Sequence, residues 1–153
     1  MKTEFWMTGK TDKTNIREEI DFYLKRIRQF IPFEIVEIKP PKSKSAEMTK
    51  ENESEYILKQ LRADDFLILL DEKGKEFSSP GFSKYIGNLF NTVNTKLVFV
   101  AGGAYGFNHT LIKRANSLVS LSKMTFTHDM VRIIFMEQFY RALTIMNNHP
   151  YQH

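Results

Sequence analysis

The chain has 153 residues, 42% of them hydrophobic and 26% charged, a globular balance that excludes general disorder and fits one domain spanning residues 1–153. It holds no cysteine, which excludes disulfide staples, thiolate catalysis and thiolate-ligated metal sites. Its 22 Lys and Arg exceed its 18 Asp and Glu, a mild lean towards polyanionic partners such as nucleic acid.

Residues 5–8 form a short apolar opening that reads as an edge strand. The start Met1-Lys2-Thr3-Glu4-Phe5-Trp6 lacks the basic and apolar regions of a signal peptide. With no apolar run near the roughly 20 residues of a membrane span, a soluble, cytoplasmic protein is expected. Ile16, Ile20, Tyr23, Leu24 and Ile27 recur at the spacing of an amphipathic helix. Residues 33–38 alternate as a half-buried strand does. Lys39-Pro40-Pro41-Lys42-Ser43-Lys44-Ser45 then breaks regular structure as a basic loop. Residues 48–61 predict a charged surface helix with a modest apolar side at Ile57, Leu58 and Leu61.

From Phe66 to Leu70 the run is continuously apolar, as in a strand covered on both faces. Asp71-Glu72-Lys73-Gly74-Lys75 reads as a polar turn, and Ser79-Pro80-Gly81 precedes a predicted helical stretch through Phe90. Residues 96–101 make a second buried strand, followed by Gly102-Gly103-Ala104-Tyr105-Gly106 and by Asn108 as the N-cap of a short helix. Residues 117–121 predict a third short strand. Residues 130–146 predict a long helix, apolar around most of its girth and therefore buried in a core or an interface. The alternation predicts an α/β fold with a mostly parallel sheet flanked by helices. Ligands bind such sheets beyond the carboxyl ends of the strands. That marks Leu70-Asp71, Gly102 to Gly106 and Leu121 to His128 as the candidate site.

The glycine group lets backbone approach a ligand closely. It is neither a P-loop nor a G-x-G-x-x-G site, and no Asp or Glu lies between Asn108 and His128 to hold a ribose. A plain strand-to-helix turn remains an equal reading. Three of the four histidines, His128, His149 and His153, stand in the C-terminal part, two of them around Asn148-His149-Pro150-Tyr151. They suit proton handling or nucleobase contact, against the alternative of a solvated tail. No zinc spacing occurs, so no metal is expected. Glu137 and Arg141, four apart, suit an internal ion pair. Arg132 lies near a helix start, where a cation opposes the helix dipole, and so points to an anionic partner. The basic set Lys25, Arg26, Arg28, Lys39, Lys42 and Lys44 suits RNA phosphates or a merely solvated face.

Three stretches together resemble one family. They are Leu69-Leu70-Asp71-Glu72-Lys73-Gly74-Lys75-Glu76-Phe77-Ser78-Ser79, Phe99-Val100-Ala101-Gly102-Gly103-Ala104-Tyr105-Gly106, and Leu121-Ser122-Lys123-Met124-Thr125-Phe126-Thr127-His128-Asp129-Met130-Val131-Arg132. The last continues into Glu137-Gln138-Phe139-Tyr140-Arg141-Ala142, and Asn148-His149-Pro150-Tyr151 also fits. The chain is similar over essentially its whole length to the bacterial ribosomal large-subunit (23S rRNA) pseudouridine-N3-methyltransferases, of the knotted SPOUT class. Thr127 stands where that family commonly has proline, Gln152 separates Tyr151 from His153, and Ala104 and Tyr105 replace commoner small and acidic residues.

The resemblance implies a SPOUT-type α/β fold with a C-terminal trefoil knot, an exception to the rarity of knots. It implies S-adenosylmethionine bound by Leu70, Gly102, Gly103, Leu121, Ser122, Lys123, Met124, Thr125 and Phe126. It further implies a homodimer with sites at the subunit interface, acting on 23S rRNA in the assembled ribosome. His128, Arg132 and Tyr151, with His149 or His153, are expected to line the substrate pocket. Arg132 would stabilise charge on the base while a histidine takes the N3 proton. The rivals are a SPOUT methyltransferase with another RNA target, a non-catalytic RNA-binding protein, and a dinucleotide oxidoreductase disfavoured by the missing carboxylate.

Overall fold

A computed structural model describes residues 2–41 and 43–151. The elements are β1 (Thr3–Thr8), α1 (Thr14–Ile27), β2 (Phe33–Ile38), α2 (Ala46–Gln60), β3 (Phe66–Glu76), α3 (Ser79–Thr92), β4 (Leu97–Ala101), α4 (His109–Arg114), β5 (Ser117–Ser120) and α5 (His128–Met146). The strands form one parallel sheet in the order β2-β1-β4-β3-β5. Parallel neighbours need crossover connections, and here each crossover carries a helix that covers a face of the sheet.

The apolar runs are continuous because alternate residues enter opposite cores. Phe5, Met7, Ile68, Leu70, Leu97 and Phe99 face α1, α3 and α5. Trp6, Leu67, Leu69, Val98 and Val100 face α2 and α4. The first core is built on aromatics, with Phe135 of α5 4.4 Å from Phe5 and 5.0 Å from Phe99 between ring centroids. Helix α5 is tied to α3 where the Ser83 hydroxyl donates to the Ala142 carbonyl at 2.8 Å.

Three expectations need correction. Strand β1 is not an edge: it pairs with β2 on one side and β4 on the other. Its polar Glu4 is buried beside the Trp6 indole N–H, which donates to it at 2.7 Å, and beside the Lys96 ammonium at 3.4 Å. The edges are β2 and β5.

The Asp71–Lys75 stretch is not a plain turn after β3. Leu70 and Lys75 both register with Val119, and Glu76 with Ser120. Residues 71–74 therefore bulge out of the strand and the chain rejoins the ladder, with Asp71 Oδ1 accepting from the Lys73 N–H at 2.8 Å. Gly74 makes this possible, since a Cβ there would stand 2.5 Å from the Leu118 carbonyl carbon. Finally, α5 starts at His128, two residues before the expected Met130, because the Thr127 hydroxyl caps it by accepting from the Met130 N–H.

The tail is exposed at residues 147–150 but turns back at Tyr151, which is half-buried. Asn148 adopts a left-handed φ of 54°. The Asn148 N–H donates to Ile145 O at 3.2 Å and the His149 N–H to Thr144 O at 2.8 Å. This is the Schellman pattern that closes a helix C-terminus, with Asn at the left-handed position. It folds the chain back so that Tyr151 lies 4.8 Å from the Tyr140 ring.

Candidate active site

Strands β4, β3 and β5 are adjacent, and Ala101 registers with Leu70, which registers with Val119. Gly102-Gly103, Leu70-Asp71 and Leu121 to Phe126 therefore follow neighbouring registered positions of the three strands, side by side. The sheet alone brings the nine candidate cofactor residues into one neighbourhood.

Each loop is held internally. After β5, the Ser120 hydroxyl donates to Ser122 O at 2.9 Å, and Ser122 Oγ accepts from the Met124 N–H at 3.0 Å. Thr125 Oγ1 donates to Glu72 Oε2 at 3.1 Å, and Lys123 Nζ stands 3.7 Å from Glu76, so this loop is fastened to the bulge in β3. Beside Leu121, a cavity of about 230 Å³ opens among Ser78, Ser79, Ser120 and Gln138. Tyr105 of the glycine loop, Met124 of the 121–126 loop and Met130 at the start of α5 are exposed apolar side chains.

The glycine loop is gripped by α2, a helix the sequence marked only as a charged surface element. The Asn108 N–H donates to Ser54 Oγ at 2.9 Å, and Asn108 Nδ2 donates to Glu51 Oε2 at 3.0 Å. Asn108 Oδ1 meanwhile caps α4 by accepting from the Leu111 N–H at 2.9 Å. A Cβ on Gly103 would meet Glu53 Oε1 at 2.7 Å, and one on Gly102 would meet the Phe107 ring at 2.8 Å. Glu53 Oε1 is buried with no hydrogen-bond partner among the described residues, and burial pushes the carboxyl pKa up. One signal was available in the sequence. Ser54, Ile57, Leu58 and Leu61 share helical spacing, so a small hydroxyl belongs to the inward stripe.

His128 is exposed at the first turn of α5. Arg132 is 3% exposed. Its Nη1 donates to Thr11 Oγ1 at 2.8 Å and its Nη2 to Thr8 O at 2.7 Å, while Nε is buried without a partner among the described residues. Burial pushes its pKa down, opposed by the charges of Asp129, Glu37 and Asp12. The cation at the helix start thus has internal acceptors and internal counter-charges.

His149 lies at the other end of α5, while the chain turns back so that Tyr151 packs on Tyr140, within the helix. That helix has 19 residues, a length of about 28 Å at 1.5 Å per residue. One chain therefore does not bring His128, at the first turn, together with His149, beyond the last. His149 sits edge-on to Phe30 at 6.3 Å. The Tyr151 hydroxyl donates to Glu137 Oε1 at 3.3 Å, and the Arg141 guanidinium lies 4.9 Å from its ring centroid. Burial raises the Tyr151 pKa, reinforced by Tyr23 and the Glu137 charge. Glu137 and Arg141 form the expected pair, Arg141 Nε donating to Glu137 Oε1 at 3.0 Å. His153, and Lys42 of the basic set, lie outside the described residues. Among the described residues, no group of three or more His, Asp or Glu is placed to hold a metal ion. No helix among them is long and apolar enough to cross a membrane.

A parallel α/β sheet with these candidate loops gathered over three adjacent strands defines a class that the whole chain shares. Residues 1–153 match the family described as predicted SPOUT methyltransferase, and the chain belongs to that family. It is 51% identical to a protein of Parabacteroides distasonis over 156 aligned residues, covering 100% of this chain and 99% of the relative. It is 47% identical to one of Bacteroides thetaiotaomicron, at the same coverage, and 50% identical to one of Flavobacterium johnsoniae, covering 95% and 94%. All three relatives are named ribosomal RNA large subunit methyltransferase H.

Proposed function

We propose that this chain is an S-adenosylmethionine-dependent methyltransferase that modifies N3 of a pseudouridine in 23S rRNA of the assembled ribosome. It acts in the cytoplasm as a homodimer of single-domain subunits. The observation that carries this reading is the gathering of the Leu70, Gly102 and Leu121 loops over adjacent strand ends in a SPOUT chain. The names of the full-length relatives support large-subunit ribosomal RNA as the target, and the nucleotide is the finer part of the proposal. The residues present fit the cofactor. Gly102 and Gly103 give a backbone turn packed on Phe107 and Glu53, Leu70 and Leu121 give apolar walls, and the unpartnered Glu53 oxygen awaits a donor.

When bound, S-adenosylmethionine supplies an activated methyl on its sulfonium. The protein's work is alignment and the handling of one proton. The 121–126 loop, fastened to Glu72 and Glu76, presents a fixed wall to the donor. We take the chain after β5 to thread the loop formed by residues 71–101, which makes the trefoil knot. Exposed His128 accepts or relays the N3 proton, and Arg132, close by, lends positive potential to the base oxygens. His149, Tyr151 and His153 complete the pocket from the second subunit. The distance between the two ends of α5 supports this composite arrangement, as do the exposed Met124 and Met130 at the His128 end.

The test is transfer of labelled methyl to ribosomes from a strain lacking the gene, with free rRNA in parallel and the product nucleotide identified by digestion and mass spectrometry. Label on a large-subunit pseudouridine in assembled ribosomes only is expected. Label on another RNA reassigns the target, and absence of both label and cofactor binding overturns the methyltransferase reading. If His128→Ala and Arg132→Ala both keep wild-type rates, the pocket assignment fails.

A further inference from the structure

Helix α2 puts three polar side chains beside the glycine loop, and only two of them are used. Glu51 accepts from Asn108 Nδ2 and Ser54 accepts from the Asn108 N–H, so both fasten the loop to the helix. Glu53 lies between them in sequence and does neither. Its Oε1 is buried, has no partner among the described residues, and packs where a Cβ on Gly103 would be 2.7 Å away. A buried carboxylate oxygen without a donor is unfavourable in water-excluded surroundings and persists where something else supplies the donor. The helix already has two residues for holding the loop, so a third acidic group without a bond to it has another use.

We propose that Glu53 is a cofactor-binding residue. Its ionised carboxylate accepts a hydrogen bond from an O–H or N–H donor of S-adenosylmethionine, supplied by the ribose diol or by the methionine ammonium. The inference rests on the methyltransferase reading above. The position agrees with it: β4 lies at one end of the β4-β3-β5 span, so Glu53 grips the ligand at the end remote from the 121–126 loop. It also answers the missing ribose-holding carboxylate after Asn108, since the acid arrives from a helix that precedes β4 in the chain. The Gly103 requirement follows as well, because any side chain there would displace the carboxylate.

Calorimetric titration of the full chain with S-adenosylhomocysteine and with 5′-methylthioadenosine, which lacks the amino-acid part, tests this without turnover. Wild type is compared with Glu53→Gln and with Glu55→Gln, an exposed acid on the same helix. Glu53→Gln is expected to weaken S-adenosylhomocysteine binding at least tenfold, with Glu55→Gln unchanged. Its ligand-free melting temperature should equal or exceed that of wild type, because the amide replaces a half-buried carboxylate whose Oε1 has no partner among the described residues. If methylthioadenosine binding weakens equally, the donor is the ribose; if only the homocysteine compound is affected, it is the ammonium. Binding within twofold of wild type overturns the proposal, and so does a loss of binding accompanied by a fall in melting temperature, which marks a structural prop. A wild-type protein that binds neither compound overturns the methyltransferase reading together with this one.

Discussion

Replacing Arg132 by methionine keeps most of the aliphatic stem and deletes the guanidinium, which is 3% exposed in a tie between α5 and the end of β1. Two hydrogen bonds disappear, at 2.8 Å to Thr11 Oγ1 and 2.7 Å to Thr8 O. Hydrogen bonds from a charged donor contribute about 1.5–3 kcal/mol each, and leaving the acceptors unpaired adds to the loss. Against this, the variant no longer desolvates a cation and no longer buries an unpartnered Nε. The balance is a destabilisation of about 3 kcal/mol. In a chain of this size, that lowers the melting temperature by roughly 6–12 °C. Thermal and urea unfolding by circular dichroism measure it. Thr11→Val removes one of the two acceptors, so a double-mutant cycle should return a coupling of about 1–2 kcal/mol between the positions. An Arg132→Met protein melting within about 2 °C of wild type, or a coupling near zero, would refute the argument that this arginine is an internal anchor.

Gly74→Ala places a methyl 2.5 Å from the Leu118 carbonyl carbon. Its backbone neighbour cannot yield as a side chain would, so a loss above about 3 kcal/mol is expected in urea unfolding, together with weaker cofactor binding. Ser54→Ala orphans the buried Asn108 N–H and should cost about 1–3 kcal/mol, with faster amide exchange at the start of α4 as the local readout. Tyr151 keeps its proton in the fold beyond the pH at which the unfolded chain loses it, because burial raises its pKa. Its contribution is therefore fully present below the unfolded pKa near 10 and declines as pH rises above it. Tyr151→Phe should flatten the fall in urea midpoint between roughly pH 9 and 11, and an unchanged slope would contradict the assignment.

What could be read from sequence divides along the range of the interactions. Runs such as Phe66 to Leu70 and Leu97 to Ala101 announce buried strands by themselves, and the placement of ligand loops at strand ends follows from the α/β order alone. Strand order is different: nothing in the first eight residues records that Leu97 to Ala101 will lie beside them, so a short apolar opening reads as an edge although it lies inside the sheet. The bulge in β3 depends on Gly74 meeting the backbone of β5, a contact between segments more than forty residues apart. Arg132 drew notice as a cation at a helix start, yet its partners Thr8 and Thr11 are over a hundred residues away. The grip of α2 on the glycine loop hid because Ser54 and Glu51 look like any polar helical surface. In the tail, Asn148 and Pro150 are ordinary helix-stop residues, and the turn they make explains where Tyr151 packs.

The strand order 2-1-4-3-5 also bears on how the chain acquires its structure as it leaves the ribosome. The first two strands and α1 are complete by Ile38, but β1 waits for β4, which ends roughly sixty residues later. At a synthesis rate of about 5–20 residues per second, the strip formed by Phe5, Met7 and Ile35 stays half-covered for roughly 3–12 seconds. Even then α5, which supplies Phe135 and Phe139 to the same core, is made last. Non-local pairing of this kind slows folding and lengthens the exposure of apolar surface. The nascent amino-terminal half is therefore the part of this protein with the greatest need of chaperone cover, and truncations ending before α5 should accumulate as aggregates.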